Sequence, residues 1–160
     1  MIEPVIQEER GPRILVAGIG GAGTNAVDNM IRTGVTGVDF VAINTDSQAL
    51  HGSEAANKIH IGKNITKGLG TGANPALGQQ AAVEDKELLV ETLRGADLVF
   101  ITCGLGGGTG TGASPVIAEI AREVGALTVA IVTKPFDFEG SVRRRHAERG
   151  QEDLRSRVDT

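Results

Sequence analysis

The chain has 160 residues, of which 40% are hydrophobic, so it is long enough to bury the core of one domain. A formal net charge of −4 argues against a nucleic-acid partner, and aromatic residues at 2% leave almost no platform for stacking bases. The single cysteine excludes an internal disulfide and suits a reducing, cytoplasmic setting. The acidic start, MIEPVIQEERGP, does not have the pattern of a signal peptide, and no apolar run is long enough to cross a bilayer.

Residues 1–12 are predicted to form a flexible arm, and residues 13–160 a single domain in which short apolar segments alternate with helical patterns. Strands that are apolar throughout and alternate with helices predict an α/β fold of three layers, with a mostly parallel sheet between helices. Pro115 is expected in the first turn of its helix, where its missing N–H is not needed. The predicted strands are 13–19, 38–44, 58–61, 97–103 and 126–133, and the predicted helices are 23–33, 46–50, about 75–94, 114–124 and a charged helix from 141 onward.

The first glycine-rich loop, GIGGAGTN at 18–25, follows the first strand and opens a helix. Gly18, Gly20 and Gly23 fit G-x-G-x-x-G, and Asp46 follows the second main strand at about the distance expected for a ribose contact. Taken alone, this pattern is typical of an NAD(P)-binding Rossmann domain. A tight turn without a ligand is the other interpretation.

The second glycine-rich loop, CGLGGGTGTG at 103–112, has six glycines in ten residues. Successive bare N–H groups form an anion-binding nest, a helix N-terminus adds partial positive charge, and Thr109 and Thr111 add hydroxyl donors. Two such nests on one sheet edge suit a nucleoside triphosphate better than a dinucleotide. The lysine motif G-x-x-x-x-G-K-[ST] is absent, so backbone amides are expected to hold the phosphates.

The run GGGTGTG at 106–112 resembles the signature of the tubulin/FtsZ superfamily. GIGGAGTNAV, FVAINTDSQAL, ITKGLGTGANP and TVAIVTKPFDFEG resemble its bacterial cell-division branch, and the likeness extends over nearly the whole chain from Arg13. The resemblance implies a Rossmann-like GTPase domain that binds GTP or GDP with Mg²⁺. It also implies head-to-tail polymers of the protein with itself, other cell-division proteins as partners, and a cytoplasmic location at the division site.

The resemblance also assigns nucleotide contacts to individual residues. Asp46 is implied as a water-mediated Mg²⁺ partner, although its position equally suits an N-cap of the short helix at 46–50. Thr71 stands where the family usually has alanine, Glu139 matches a ribose contact, and Arg143 matches a basic residue that reaches the sugar or base. The full predicted set is Gly20, Gly21, Ala22, Gly23, Thr24, Asn25, Asn44, Asp46, Thr71, Gly72, Ala73, Gly107, Gly108, Thr109, Gly110, Thr111, Glu139 and Arg143.

Three side chains near these loops are predicted to be structural. Cys103 lies beside a phosphate nest, which would lower its pKa, but no histidine is placed to act with it, so it is expected to be a small buried filler. Phe136 and Phe138 are expected to anchor their loop by packing.

No catalytic residue is predicted within the chain. The resemblance implies that more than half of the protein would follow Thr160, including the helix that grips guanine and an acidic loop that enters the neighbouring subunit's site. Residues 1–160 alone are therefore expected to bind nucleotide weakly and to have negligible GTPase activity. Two alternatives are an NAD(P)-binding oxidoreductase domain and a truncated, non-hydrolysing module that caps filaments.

Overall fold

The computed structural model describes residues 1–2 and 10–160, so the predicted arm at 1–12 lies mostly outside the described residues. Those of its residues that are described are exposed to solvent. The elements in chain order are β1 (Ile14–Ile19), α1 (Gly20–Arg32), β2 (Asp39–Asn44), α2 (Ser47–His51), β3 (Asn57–His60), α3 (Lys63–Thr66), α4 (Pro75–Glu84), α5 (Lys86–Leu93), β4 (Leu98–Gly104), α6 (Thr109–Glu123), β5 (Leu127–Thr133), a 3₁₀ helix (Asp137–Glu139) and α7 (Ser141–Arg155).

The strands form one parallel sheet in the order β3-β2-β1-β4-β5, which confirms the predicted sheet. At the carboxyl end of β1, Ile19 lies beside Ile43 of β2 and Cys103 of β4. Because every strand runs the same way, the loops that leave β1, β2, β4 and β5 meet at one edge of the sheet.

Helices cover the sheet on both faces, so the predicted three layers are confirmed. Alternate residues of β1 point to opposite faces. Leu15 belongs to the larger core, which includes buried residues of α4, α5, α6 and α7. Val16 belongs to the smaller core, where it is grouped with Val27 of α1 and Leu50 of α2.

Glycines allow α4 to lie directly against the beginning of α6. A Cβ at Gly112 would collide with the carbonyl oxygen of Pro75 and would lie 2.7 Å from the amide nitrogen of Gln79. A Cβ at Gly78 would lie 2.5 Å from the carbonyl oxygen of Gly108. This close packing holds the loop before α4 against the loop before α6.

Two helices begin earlier than predicted, because the glycine-rich loops form their first turns. Helix α1 begins at Gly20 instead of residue 23, and α6 begins at Thr109 instead of residue 114. Pro115 therefore lies inside α6, so its predicted place in the first turn is wrong. Glycine has a low helix propensity, but neighbouring backbone comes so close to these turns that a side chain would not fit. A Cβ at Gly20 would lie 2.8 Å from the amide nitrogen of Gly110, and a Cβ at Gly110 would lie 2.7 Å from the carbonyl oxygen of Gly104.

The single long helix predicted at about 75–94 is wrong, because the chain breaks at Asp85 into α4 and α5. The Asp85 carboxylate accepts a hydrogen bond from the N–H of Gly62 (2.7 Å), just before α3. Bound in this way, Asp85 leaves helical geometry, with φ −106° and ψ 28°. Within the described residues, none of the helices combines the length and apolar character that crossing a membrane would require.

Candidate functional site

A cavity of about 820 Å³ opens at the carboxyl edge of the sheet. Its volume falls in the range of roughly 300–1,000 Å³ that is usual for small-molecule sites. The loops that follow four parallel strands line it, together with the loop before α4. These segments include residues 20–22 after β1, 44–46 after β2, 104–105 and 107–110 around the end of β4, 133–136 after β5 and 69–72 before α4.

The N-termini of α1 and α6 meet at this cavity. Gly20 adopts a left-handed conformation, with φ +73°, and a Cβ there would lie 2.8 Å from the amide nitrogen of Gly110. A Cβ added at Gly21 or at Gly107 would meet no atom within 4 Å, although both residues line the cavity. Bare backbone from two adjacent strand ends therefore faces the same open space, where the helix ends contribute N–H groups and partial positive charge.

The helices at the cavity differ from two neighbours in how their first N–H groups are bonded. Neither α1 nor α6 has a side-chain N-cap hydrogen bond. In contrast, Asp46 caps α2 by accepting from the N–H groups of Gln48 (2.9 Å) and Ala49 (3.1 Å), and Asn74 caps α4 by accepting from Ala76 (3.0 Å). Within the described residues α3, α5 and α7 also lack a side-chain N-cap hydrogen bond, so the absence of a cap is not special to α1 and α6. What distinguishes α1 and α6 is that their uncapped N-termini lie together at the cavity, which suits an anion as their partner.

The loop after β2 holds its polar side chains by local hydrogen bonds. Asn44 Oδ1 accepts from the N–H groups of Thr45 (2.8 Å) and Asp46 (3.3 Å). Asp46 caps α2 with Oδ1, as the N-cap interpretation predicts, and its side chain also lines the cavity. Within the described residues Oδ2 accepts no hydrogen bond, which leaves it available for a water molecule or a cation.

The loop after β5 brings a carboxylate and a guanidinium to the rim. Glu139 Oε2 accepts from the N–H of Phe136 (2.6 Å), and Glu139 Oε1 lies 3.9 Å from Nη1 of Arg143. The prediction that Phe136 and Phe138 anchor the loop by packing is wrong, because they are 70% and 86% exposed. Their rings stack on each other, with centroids 5.3 Å apart, and Phe136 lines the cavity.

Most of the predicted contact residues line the cavity. They are Gly20, Gly21, Ala22, Asn44, Asp46, Thr71, Gly72, Gly107, Gly108, Thr109, Gly110, Glu139 and Arg143. The others do not line it, namely Gly23, Thr24, Asn25, Ala73 and Thr111.

Two of the predicted residues that do not line the cavity, Gly23 and Thr111, have structural roles. Gly23 packs α1 against β4, since a Cβ there would collide with the carbonyl oxygen of Thr102. Thr111 accepts a hydrogen bond from the N–H of Gly106 (2.8 Å) and so shapes the glycine loop from within. Thr24 is buried in α1, and Asn25 is exposed on the same helix.

Several residues line the cavity although they were not predicted as contacts, including Thr45, Gly70, Thr133 and Lys134. Thr45, Thr133 and Lys134 lie at or just beyond the carboxyl end of a parallel strand. That position is the signal that would have identified them, because the loops at this edge are where α/β sheets bind ligands.

Cys103 is buried, as predicted, with 2% of its surface exposed. Removal of the thiol from water raises its pKa from 9.0 to about 11, although a hydrogen bond with Ser114 opposes this shift. The thiol is therefore neutral at physiological pH, and the neighbouring glycine nest does not make it a thiolate.

The free energy of unfolding should fall between pH 9 and pH 11 because of this thiol. A raised pKa in the folded state means a contribution that is fully present below the unfolded value and is lost as the pH rises toward about 11. The slope from one group reaches at most about 1.4 kcal/mol per pH unit. Urea unfolding of the parent and Cys103→Ala across this range should give a flatter curve for the variant, and parallel curves would contradict the assignment.

Comparison with known proteins identifies the family. A family model described as the GTPase domain of the Tubulin/FtsZ family matches residues 13–160. The chain is 56% identical over 160 residues to the cell division protein FtsZ of Buchnera aphidicola subsp. Schizaphis graminum, covering 100% of this chain and 41% of that protein. It is 59% identical over 147 residues to FtsZ of Buchnera aphidicola subsp. Acyrthosiphon pisum, covering 92% and 38%. The chain thus spans about two fifths of the length of the curated relatives it matches.

Solved structures agree with this match. An empty FtsZ dimer from M. jannaschii has a TM-score of 0.92 and 49% identity, covering 95% of this chain and 44% of that one. CetZ2 from Haloferax volcanii, described as a GTPγS-bound protofilament, has a TM-score of 0.84 and 26% identity, covering 92% and 47%. The fold, the site at its carboxyl edge and these matches together show that the chain belongs to the tubulin/FtsZ family and that residues 13–160 correspond to its GTPase domain.

Proposed function

We propose that the chain binds GTP and GDP in the cavity, as the nucleotide-binding domain of a polymer-forming cell-division protein. The observation that carries this proposal is the meeting of two uncapped helix N-termini, those of α1 and α6, at one cavity. A dinucleotide site uses one helix N-terminus for one pyrophosphate. Two converging N-termini suit the longer, more highly charged triphosphate, and the family assignment favours the same ligand over NAD(P).

The phosphates would be held by the backbone of the two glycine loops. The N–H groups of Gly21, Ala22 and Gly108–Gly110 are the donors in this proposal, and Thr109 adds a hydroxyl. Asp46 would bind Mg²⁺ through water with its unused Oδ2, since Mg²⁺ keeps several waters and often takes one carboxylate together with phosphate oxygens. The bond that hydrolysis would cleave is the terminal phosphoanhydride bond of GTP.

The sugar end of the nucleotide would lie toward the loop after β5. There Glu139 offers carboxylate oxygens to ribose hydroxyls, and Arg143 offers a guanidinium to the sugar or base. The hydrogen bond from the Phe136 N–H and the nearby Arg143 fix the direction of the Glu139 carboxylate. The preference for guanine is inferred from the family.

Hydrolysis is proposed to need a second subunit. This proposal assigns the two carboxylates that line the cavity to other tasks, Asp46 to Mg²⁺ and Glu139 to the ribose, so neither is left as a base for the attacking water. Exposed apolar side chains at this end of the molecule, Leu69, Phe136 and Phe138, suit a surface that another subunit covers. A head-to-tail contact of this kind does not close, so it yields a filament.

Other cell-division proteins and a position at the division site are part of the same proposal. They are inferred from the relatives, which are named as cell division proteins. On this account residues 1–160 alone bind nucleotide weakly and turn it over negligibly.

Competition for a fluorescent GTP analogue tests the ligand class. We expect unlabelled GTP and GDP to displace the analogue and NADH or NADPH to leave it bound at equal concentration. Displacement by NADH at lower concentration than GTP would contradict the proposal.

A combined turnover and sedimentation assay tests hydrolysis and self-association. The 160-residue chain should release negligible phosphate from GTP, whereas an intact relative from the same family should release it at a rate that rises steeply with protein concentration. Added to that relative, the chain should enter or shorten its filaments. Turnover by the chain alone at the rate of the relative would contradict the need for a second subunit.

A further inference from the structure

Three threonine hydroxyls from three separate segments meet beneath the cavity. Thr45 follows β2, Thr71 lies in the loop before α4, and Thr109 begins α6. Thr109 Oγ1 lies 2.7 Å from Thr45 Oγ1 and 3.4 Å from Thr71 Oγ1. All three side chains line the cavity and are nearly buried, with exposures of 0% for Thr45 and 8% for each of the others.

The number of hydroxyl hydrogens limits which threonine of this cluster can donate to which. A hydroxyl donates one hydrogen bond and accepts two. Within the described residues, Thr109 is the only hydrogen-bond partner of the Thr45 and Thr71 hydroxyls. When both of them donate, the two lone pairs of Thr109 Oγ1 are filled and its own hydrogen is left for a group in the cavity.

Thr71 also fixes the position of its loop against the phosphate loop. A Cβ at Gly108 would collide with Thr71 Oγ1 and would lie 2.8 Å from the N–H nitrogen of Asn74. Asn74 in turn donates to the carbonyl of Thr71 (3.1 Å). The Thr71 side chain thus fills the space that glycine leaves at position 108.

The backbone around Thr71 needs such a restraint. Left-handed conformations occur at Lys67, Gly68, Gly70, Gly72 and Ala73, with φ between +55° and +80°. Two of these residues are not glycine, and each left-handed L-residue costs of the order of 1 kcal/mol. A segment with this many unusual torsions keeps one conformation only when surrounding contacts hold it there.

We propose that Thr71 is a positioning residue, whose hydroxyl holds the loop at 67–74 against the phosphate loop and directs the Thr109 O–H toward the γ-phosphate end of the nucleotide. The nucleotide part of this statement rests on the proposed function. The restraint of the loop does not, because the contacts that make it are all between residues of the chain.

Hydrogen exchange in the nucleotide-free 160-residue chain tests the restraint. Thr71→Val keeps the shape and removes the hydroxyl, whereas Thr71→Ser keeps the hydroxyl. The hydrogen-bonded amides of this loop are those of Gly68, Leu69 and Asn74. We expect Thr71→Val to speed exchange of these amides by roughly three- to tenfold, the effect of one hydrogen bond, and Thr71→Ser to stay within about twofold of the parent. The matched control is Thr128→Val, which removes another buried hydroxyl that donates to the Ala126 carbonyl (3.2 Å) and should leave these amides unchanged.

Binding of GTPγS and GDP to the same variants tests the nucleotide part. Thr71→Val should weaken GTPγS binding by about three- to tenfold and GDP binding less, with recovery in Thr71→Ser. If the parent binds GTPγS but Thr71→Val matches it in both exchange and affinity, the positioning role is overturned and the proposed function stands. If the parent binds no nucleotide while the exchange difference persists, the proposed function fails and the loop restraint stands.

Discussion

Gly107→Ala should leave the chain folded and weaken its binding of GTP by roughly ten- to hundredfold. A Cβ at Gly107 meets no protein atom within 4 Å, so the substitution has room in the folded chain. The same residue lines the cavity between β4 and α6, where the phosphates are proposed to approach the backbone. A methyl group there would hold the anion away from charge-assisted N–H donors, each of which contributes about 1.5–3 kcal/mol.

Thermal unfolding and nucleotide titration on the same samples separate the two effects. The Tm of Gly107→Ala should match that of the parent. Gly52→Ala is the matched control, because a Cβ there makes only ordinary contacts at 3.7 Å and lies outside the cavity. An unchanged GTP affinity for Gly107→Ala would show that the phosphates do not approach this backbone.

Unlike Gly107→Ala, which should lose affinity and keep its stability, Gly112→Ala should greatly lower the free energy of unfolding. A Cβ at this position collides with the Pro75 carbonyl and crowds the N–H of Gln79, so α4 must move away from α6. Overpacking typically costs about 1–3 kcal/mol, and we expect about 3 kcal/mol here because backbone cannot rotate away as a side chain can. For a domain of this size that is roughly 6–12 °C in Tm.

Urea and thermal unfolding of Gly112→Ala and Gly52→Ala test this expectation. Alanine is the better helix former, so without the contact Gly112→Ala would be neutral or stabilising. A Tm equal to that of the parent would mean that α4 and α6 do not pack as closely as the structure has them.

Local patterns predicted the strands well. β1, β2, β4 and β5 are short apolar runs with clear ends, and each predicted boundary is within one residue of the structure. The helices were harder where tertiary contacts override propensity. The glycines in the first turns of α1 and α6 favour a loop when only the sequence is considered. The sequence around Asp85 favours a continuous helix, and the break there depends on the hydrogen bond from the Gly62 N–H to the Asp85 carboxylate.

The glycine loops and the family resemblance located the cavity, but they did not distinguish residues that line it from residues that build it. Gly23 and Thr111 belong to the same motifs as Gly21 and Thr109, yet one packs a helix on a strand and the other bonds the Gly106 N–H. Thr45 lies between Asn44 and Asp46 in one of the segments that carry the resemblance, but it was not predicted as a contact. Its hydroxyl is bonded to Thr109, which is 64 residues away in the chain. Such pairings depend on the sheet order, which sequence patterns alone do not determine.

Amide NMR of the ¹⁵N-labelled chain during titration with GTPγS tests most directly whether one ligand bridges two uncapped helix ends. We expect the amide signals of Gly21 and Gly107 to move together with a single saturation curve. The amide of Ala76, which the Asn74 side chain already caps, should respond less. Movement of only one of the two glycine signals, or different saturation curves for them, would contradict a single triphosphate held between α1 and α6.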